Sequence, residues 1–180
     1  MFTTNRLLLC PYTDADLNDL MRLWNDPLVQ RLATTDELGP RGPRFKNTIR
    51  NHMDRAMFSA IIRLKETNEF MGQMTVHVLE QKNRDGTYGI CLLPKFWSYG
   101  FGTEATQYIV DYSFRWLGLQ RMSLTVFANN DRAIAVYQKA GFVMEGRKRA
   151  CVWANNRWED TLFMGVLRDE WIVRLSILQQ

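Results

Sequence analysis

A change of hydrophobic period at Gly100-Phe101-Gly102, in the middle of the chain, restricts the possible folds more than any other feature. The residues before it, Thr87–Leu93, have strand-like apolar content and end at Pro94. The apolar residues after it recur at helical spacing up to Gly118: Ala105, Ile109, Tyr112 and Trp116. Glycines let the backbone approach a ligand closely, and the N–H groups of a helix's first turn attract phosphates. The pattern therefore predicts a strand, a glycine turn and an anion-binding helix N-terminus.

A dinucleotide-binding fold is the first alternative for such a turn. Its fingerprint needs a third glycine, near the position of Ala105, and an acidic residue about 20 residues further on, at the end of a second strand. Gly118 does not supply the glycine, and the predicted strand Arg121–Phe127 runs into Ala-Asn-Asn instead of an acid. The sequence therefore disfavours a nicotinamide cofactor.

A second motif follows that strand. Residues 130–142 read Asn-Asp-Arg-Ala-Ile-Ala-Val-Tyr-Gln-Lys-Ala-Gly-Phe, a short helix between a strand exit and a Gly-Phe step into a new strand. Together with the glycine turn, this stretch resembles the GNAT superfamily of N-acetyltransferases. The opening Arg6-Leu7-Leu8-Leu9 is similar to that of the ribosomal-protein N-acetyltransferase-like branch. The resemblance continues through Glu145-Gly146-Arg147 to Trp158-Glu159-Asp160, so it covers nearly the whole chain.

The remaining pattern predicts short alternating elements. The predicted strands are Arg6–Tyr12, Phe58–Leu64, Phe70–Leu79, Thr87–Leu93, Arg121–Phe127, Gly141–Trp153 and Trp158–Leu167. The first predicted helix is capped by Thr13 or Asp14 and ends near Trp24, and a short helical turn could follow Asn25-Asp26-Pro27. A further helix carries Phe45, Ile49, Met53 and Met57. The last two are a helix that starts at Gly102 and the helix Asp131–Lys139. The segment Gly39–Pro43 reads as a loop, Asn83–Gly86 as a hairpin turn with the Asp-Gly signature, and the tail past Asp169 as a terminal helix.

This order gives a mixed α+β fold. In outline it is a strand, two helices, three strands, a helix, a strand, a helix and two strands. The resemblance implies a GNAT-like central mixed sheet, mostly antiparallel and flanked by helices, with splayed parallel strands at the cofactor site. Residues 1–180 are expected to form a single N-acetyltransferase domain, with a C-terminal tail from about residue 169.

The resemblance also implies a set of functional residues. Acetyl-CoA is the expected co-substrate, and backbone groups of Ile90, Cys91 and Leu92 would bind its pantetheine arm and polarise the thioester. The cofactor-binding turn would comprise Trp97, Ser98, Tyr99, Gly100, Phe101, Gly102 and Thr103, with the pyrophosphate on the amides from about Tyr99 to Thr103. From the second motif come Asn130, Arg132, Ala133 and Lys139. Tyr137 would protonate the departing CoA thiolate, because a tyrosine with its ordinary pKa near 10 is protonated at neutral pH.

Two positions depart from the family pattern. Trp97 stands where Gln or Arg is usual, an aromatic that is typical of this branch. Thr87 stands where related sequences often carry a glutamate that deprotonates the acceptor amine. The base would then be Glu80, Asp85 or His77, a water relay, or no residue at all.

Structural interpretations compete with several of these assignments. Tyr137 shares a helix face with Ala133, Val136 and Ala140 and could be a core aromatic. Cys91 is expected to be an inert buried thiol rather than an acetyl-accepting nucleophile, and His77 a satisfied structural histidine. Arg132, Lys139 and Lys95 are candidates for CoA phosphate contacts or for solvated surface charges. Met53 and Met57 are expected mostly in the core, as are Trp24, Trp153 and Trp158, of which one or two could line an acceptor cleft. Trp158-Glu159-Asp160 could contact a cationic acceptor or serve in strand pairing.

Composition narrows the classes further. With 46% apolar and 23% charged residues the chain is globular, and its net charge of +4 is spread without a basic block, which disfavours nucleic-acid binding. Three isolated cysteines and two distant histidines predict neither disulfides nor a metal site, and no run is long enough to span a membrane. We therefore expect a cytoplasmic protein, and the family resemblance implies a monomer or homodimer that acetylates a primary amine: a protein N-terminus, a polyamine or a small amine metabolite. The alternative is a non-catalytic acetyl-CoA sensor.

Overall fold

A computed structural model describes residues 2–178. They form two compact units, each built from two segments of the chain. The N-terminal unit comprises residues 2–77 and 89–102, and the C-terminal unit comprises residues 78–88 and 103–178. The single domain 1–180 stays a prediction.

The sheet of the N-terminal unit follows chain order. Its strands are β1 (Phe2–Thr3), β2 (Leu7–Cys10), β3 (Phe58–Leu64), β4 (Phe70–Val78) and the second half of β5 (Asp85–Leu92). Strands β1 to β4 pair antiparallel, with Leu7 opposite Leu64 and Phe58 opposite Val76. Beside the end of β5, the Leu93 N–H donates to the Met71 carbonyl, 2.8 Å away.

Helices α1 (Leu17–Trp24), α2 (Pro27–Ala33) and α3 (Phe45–Asp54) lie between β2 and β3. The side chain of Asp26 accepts hydrogen bonds from the N–H groups of Leu28 and Val29, so the predicted break at Asn25-Asp26-Pro27 is the N-cap of a full helix. The sequence predicted two helices before the three strands, whereas the structure has three. Met57 was wrongly placed on the third helix, which ends three residues earlier at Asp54.

The core of this unit combines alternate residues of β2 and consecutive residues of β3 and β4 with one face of each helix. Met53 is 1% exposed, as predicted. Its largest fully buried side chains are Leu7, Leu9, Leu20, Leu23, Met53, Ile61, Ile62, Met71 and Met74.

The C-terminal unit contains a second set of strands, in the order β5-β6-β8-β7. Its elements are the first half of β5, α4 (Phe101–Arg115, from residue 103), β6 (Arg121–Phe127), α5 (Asp131–Ala140), β7 (Val143–Ala154), β8 (Arg157–Leu167) and α6 (Arg168–Leu178). Strand β5 pairs with β6 in parallel over three positions only, Asp85–Thr87 with Arg121–Ser123. Strands β6 and β7 both pair with β8 antiparallel.

Three boundaries in this unit differ from the sequence predictions. Asp85-Gly86 is not a hairpin turn but the start of β5, and the chain turns before it, at Gln81–Asn83 and at Arg84, where φ is +49°. Helix α4 ends at Arg115, so Trp116 lies beyond it and is 74% exposed. Gly141 is the left-handed cap of α5, with φ +102°, and β7 begins two residues later.

The predicted fold class is confirmed. Strands and helices alternate, and most strand pairs are antiparallel around a short parallel pair. The terminal helix predicted past Asp169 exists and begins at Arg168. Between residues 2 and 178, every helix is too short or too polar to cross a membrane.

Candidate active site

The predicted glycine turn joins a short 3-10 turn, Pro94–Phe96, to helix α4. Ser98 has φ +67° and Gly100 has φ +83°, both in the left-handed region. Conformations of this kind are uncommon and cluster where backbone N–H groups bind ligands. Helix α4 begins directly after Gly100, at Phe101. The arrangement has the geometry expected of an anion-binding helix N-terminus.

Arg6, just before β2, reaches this turn from 93 residues away in sequence. Its Nη1 donates to the Tyr99 carbonyl at 3.0 Å, and its Cζ lies 4.4 Å from the centre of the Phe101 ring. Its Nη2 is 3.4 Å from the place that a Cβ on Gly100 would occupy. In the sequence, Arg6 stands out only as part of the family resemblance, and its contacts with Tyr99 and Phe101 were not predicted.

The end of β5 carries the three residues predicted to bind pantetheine. Cys91 passes so close to β4 that an added Cβ on Gly72 would lie 2.0 Å from the Cys91 carbonyl oxygen. The indole N–H of Trp97 donates to the Leu92 carbonyl at 2.8 Å. Trp97 therefore connects the glycine turn to the strand before it. The Leu92 carbonyl already accepts a hydrogen bond from Trp97. The N-terminal unit thus brings Ile90–Leu92 and the Trp97–Gly102 turn into one continuous segment.

The thiol of Cys91 is unsuited to covalent catalysis. Burial raises the pKa of Cys91 to about 12. The thiolate, which is the nucleophilic form of cysteine, is then scarce at neutral pH. This agrees with the interpretation of Cys91 as an inert thiol.

Asn130 is the N-cap of α5. Its Oδ1 accepts a hydrogen bond from the Ala133 N–H at 3.2 Å. Arg132 and Lys139 lie on the exposed part of the helix. The Lys139 carbonyl accepts hydrogen bonds from the side chains of Gln107 and Arg174. The motif thus builds a capped helix whose carboxyl end is fixed to neighbouring elements of the C-terminal unit.

Tyr137 is 8% exposed and packs in a group of three aromatic rings. Its ring centre lies 6.3 Å from that of Tyr88 and 5.9 Å from that of Phe142. The hydroxyl groups of Tyr88 and Thr106 form a hydrogen bond of 3.1 Å, which fixes the Tyr88 ring. Tyr137 therefore has a defined orientation, as a proton donor requires, and the packing that the core interpretation expected is also present.

The three candidate bases have different surroundings. Asp85 accepts a hydrogen bond from the Ser123 hydroxyl at 2.7 Å and lies 3.4 Å from the Arg121 guanidinium. Glu80 is exposed. The His77 ring lies against that of His52, with ring centres 4.4 Å apart and planes tilted by 40°, and its Nε2 is buried without a hydrogen-bond partner among residues 2–178.

Both histidines are held in the neutral form. Burial lowers the pKa of His77 below its ordinary value. Burial and the neighbouring His77 lower the pKa of His52, whose Nε2 lies 3.3 Å from the Thr75 hydroxyl. The expectation that His77 is fully satisfied was wrong for its Nε2. Unsatisfied buried polar atoms are rare and are often functional.

Lys95 has partners of its own. Its ammonium pairs with Glu69 and lies 5.0 Å from the centre of the Phe96 ring. These contacts place Lys95 beside the glycine turn, within the N-terminal unit. No group of three metal-ligating side chains occurs in the part of the chain that the structure describes.

A pocket of about 230 Å³ opens in the C-terminal unit, beyond the end of β6. Trp158 lines it, and the ring centres of Trp153 and Trp158 are 5.4 Å apart. These two tryptophans are 58% and 61% exposed, so the core interpretation fails for both, whereas the alternative of a cleft-lining tryptophan fits Trp158. The lining consists of Ala128, Asn129, Arg147, Trp158, Glu159 and Asp160.

The carboxylates of this pocket are held in place. Asp160 accepts hydrogen bonds from the Arg147 guanidinium, at 2.6 Å, and from the Ala150 N–H, at 2.7 Å. These contacts lower the pKa of Asp160; the hydrogen bond from the Ala150 N–H has the largest effect, followed by that from Arg147. Glu159 is paired with Arg157, so each of the two lining carboxylates has an arginine partner.

Comparison with known proteins places these features in a family. Residues 6–143 match the model of the acetyltransferase (GNAT) domain. The uncharacterized N-acetyltransferase YoaA of Bacillus subtilis is 26% identical over 92% of this chain and 95% of its own length. The putative ribosomal N-acetyltransferase YdaF of the same organism is 29% identical over 56% of this chain and 55% of its own.

A solved structure agrees with the fold. The spermidine N-acetyltransferase of Vibrio cholerae, in complex with CoA and spermine, superposes with a TM-score of 0.83 over 94% of this chain and 99% of that one, at 22% identity. At 22% identity, this similarity shows that the two proteins share a fold. The family is established by the domain match, which spans more than half of the sequence. This chain belongs to the GNAT family of N-acetyltransferases.

Proposed function

We propose that the protein transfers an acetyl group from acetyl-CoA to a primary amine by direct attack of the amine on the thioester. The observation that carries the proposal is the turn at Ser98–Gly100, two left-handed residues that lead straight into helix α4. A helix N-terminus behind a glycine turn suits the pyrophosphate of CoA, because its backbone N–H groups and its dipole both favour an anion.

The thioester is assigned to the end of β5. Backbone groups of Ile90, Cys91 and Leu92 bind the pantetheine arm as a neighbouring strand would, apart from the Leu92 carbonyl, which accepts from Trp97. An N–H group of this segment polarises the thioester carbonyl, where negative charge develops during attack. The raised pKa of Cys91 supports direct transfer over an acetyl-enzyme.

The leaving group is assigned to Tyr137. The phenol gives its proton to the CoA sulfur as the C–S bond breaks, so that CoA leaves as a thiol. The support is the fixed ring orientation, which comes from packing against Tyr88 and Phe142. Asn130, the cap of the same helix, is assigned to the pantetheine arm.

The acceptor is assigned to the pocket lined by Trp158, Glu159 and Asp160. The exposed indole ring of Trp158 suits one ammonium group. Asp160 is already paired with Arg147 and Glu159 with Arg157, so the described residues of the lining offer no unpaired carboxylate for the several positive charges of a polyamine. We therefore favour an acceptor with one ammonium group near the reacting nitrogen, such as a peptide N-terminus or a small monoamine.

A non-catalytic acetyl-CoA sensor is the second candidate, and Thr87 favours it. This exposed threonine on β5 stands where related sequences often carry the carboxylate that activates the amine. The two functions differ in turnover but not in acetyl-CoA binding.

Release of free CoA thiol separates the candidates. The protein is incubated with acetyl-CoA and a panel of peptide N-termini, small monoamines, amino acids and spermidine, while acetyl-CoA binding is measured by calorimetry. Turnover with a monocationic amine is the expected result. Binding without turnover for any amine would establish the sensor, and a kcat/KM highest for spermidine would overturn the assignment of a monocationic acceptor.

A further inference from the structure

The guanidinium of Arg6 is fixed to the glycine turn through two different kinds of contact. One is the hydrogen bond from Nη1 to the Tyr99 carbonyl, 3.0 Å long. The other is the position of Cζ, 4.4 Å from the centre of the Phe101 ring. The planar shape of a guanidinium allows both contacts at once, whereas a lysine ammonium offers neither the flat face nor the fork.

The backbone of Arg6 is itself anchored. Its carbonyl accepts a hydrogen bond of 2.8 Å from the Lys65 N–H, next to the antiparallel pair of β2 and β3. The side chain therefore connects the sheet of the N-terminal unit to a turn that lies 93 residues later in sequence. Such a long-range tie limits how far the turn can move.

The turn needs support of this kind. Ser98 and Gly100 both have positive φ values, and Tyr99 between them is 67% exposed. The Tyr99 ring is tilted against the Phe101 ring, with centres 6.2 Å apart, and the Phe96 ring meets the Phe101 ring edge-on, also at 6.2 Å. The Arg6 guanidinium thus joins a cluster of three aromatic side chains at the turn: Phe96, Tyr99 and Phe101.

We propose that Arg6 is a positioning residue for the pyrophosphate of CoA: it holds the Tyr99–Phe101 backbone so that its N–H groups meet the phosphates without rearrangement. The inference rests on the proposed function, since it assumes that this turn binds the pyrophosphate. It assigns Arg6 to binding of the donor, with no part in proton transfer. Preorganised sites bind more tightly because the cost of ordering is already met.

The experiment compares Arg6→Met and Arg6→Lys with the wild-type protein. Arg6→Met is expected to bind CoA about tenfold more weakly, because it loses the hydrogen bond and the ring contact. Arg6→Lys should bind CoA several-fold more weakly, because a compact ammonium cannot make both contacts at once. The KM for acetyl-CoA should rise by the same factor in each variant, while kcat at saturating donor stays within about threefold. Arg22→Met, which alters another exposed arginine, paired with Asp19 at 3.2 Å, is the matched control and should bind CoA like the wild type.

Two truncated donors locate the effect. Dephospho-CoA keeps the pyrophosphate, so the Arg6 variants should lose the same factor with it as with CoA. S-acetyl-pantetheine lacks the pyrophosphate, so its kcat/KM should be equal in all variants. A loss that disappears with dephospho-CoA, or that persists with S-acetyl-pantetheine, would overturn the proposal.

Further outcomes are decisive as well. Wild-type affinity in Arg6→Lys would mean that charge alone matters, and wild-type affinity in Arg6→Met would mean that Arg6 has no role; either result overturns the proposal. If the Arg6 variants fail to fold, Phe101→Leu removes the ring under the guanidinium and should weaken CoA binding several-fold in the same donor-dependent way. Failure of the wild-type protein to bind CoA would instead refute the proposed function itself.

Discussion

The ring of Tyr137 packs edge-on against the ring of Tyr88, with centres 6.3 Å apart and planes at 83°. Tyr88 is 4% exposed and its hydroxyl group is bonded to that of Thr106. Edge-to-face pairs of this kind are favourable beyond the area that they bury. The orientation of the proposed acid therefore depends on a residue that takes no part in the reaction.

Replacing Tyr88 by leucine should impair catalysis and stability together. We expect kcat to fall by about tenfold, because Tyr137 loses the ring that orients it. The free energy of unfolding should fall by about 2 kcal/mol from lost packing. Tyr88→Phe is the matched control: it keeps the ring, loses about 1 kcal/mol with the hydroxyl bond to Thr106, and should retain most of kcat. Steady-state kinetics and urea unfolding of both variants give the comparison, and equal kcat values in the two would contradict the role of the ring.

Replacement by alanine should have different effects on stability at two glycines of the N-terminal unit, Gly72 and Gly89. An alanine Cβ at Gly72 would lie 2.0 Å from the Cys91 carbonyl oxygen, so β4 and β5 would have to separate where the thioester is proposed to bind. Gly72→Ala should cost about 3 kcal/mol and strongly weaken acetyl-CoA binding. At Gly89 the nearest atom to an added Cβ is the Thr75 hydroxyl at 3.6 Å, an ordinary contact, so Gly89→Ala should cost less than about 1 kcal/mol. Thermal unfolding and calorimetric binding would refute the account if both variants behaved alike.

His77 is the proton acceptor that we expect in place of the missing carboxylate. Its Nε2 has no hydrogen-bond partner within the described residues, whereas Asp85 is already bonded to Ser123. His77→Gln should lower kcat/KM about 100-fold at pH 7. The deficit should shrink as the pH approaches the pKa of the acceptor ammonium, because the amine then needs no base. Glu80→Gln is the control and should be unaffected; a deficit equal at every pH would indicate a structural role for His77.

Stability should also depend on pH through this histidine pair. The pKa values of His52 and His77 are lowered in the folded protein, so below about pH 6.5 the unfolded chain binds more protons than the native one. The free energy of unfolding should therefore be unaffected by this pair above pH 6.5 and should decrease as the pH falls through that value. Urea unfolding between pH 8 and pH 5 should show a smaller decrease in the His52→Gln/His77→Gln double variant. An unchanged slope in that variant would show that the pair does not titrate in this way.

Local patterns predicted the elements, because each depends on residues that are close in sequence. The break in period at Gly100-Phe101-Gly102 predicted the start of α4, and Asn130 predicted the start of α5. Gly141 was predicted as the first residue of a strand and is instead the cap of α5. The Asp85-Gly86 prediction failed because parallel pairing with β6, and the hydrogen bond that the Ser123 hydroxyl donates to Asp85, outweigh the local turn preference of this dipeptide.

Contacts between distant residues could not be predicted in this way. Arg6 and Phe101 are far apart in the chain, as are His52 and His77, and no periodicity links either pair. The exposure of Trp153 could not be predicted either, because an apolar strand pattern does not reveal that β7 lies at the edge of its sheet. Trp158 pairs with Trp153 next to the turn between β7 and β8 and is exposed with it.

The most direct test of the account is the turnover of Tyr137→Phe, which removes the proposed acidic proton and keeps the aromatic packing against Tyr88. With an amine acceptor identified by the panel, we predict that kcat falls by about 100-fold while acetyl-CoA affinity is unchanged. Full turnover in Tyr137→Phe would contradict the central claim that Tyr137 protonates the CoA thiolate.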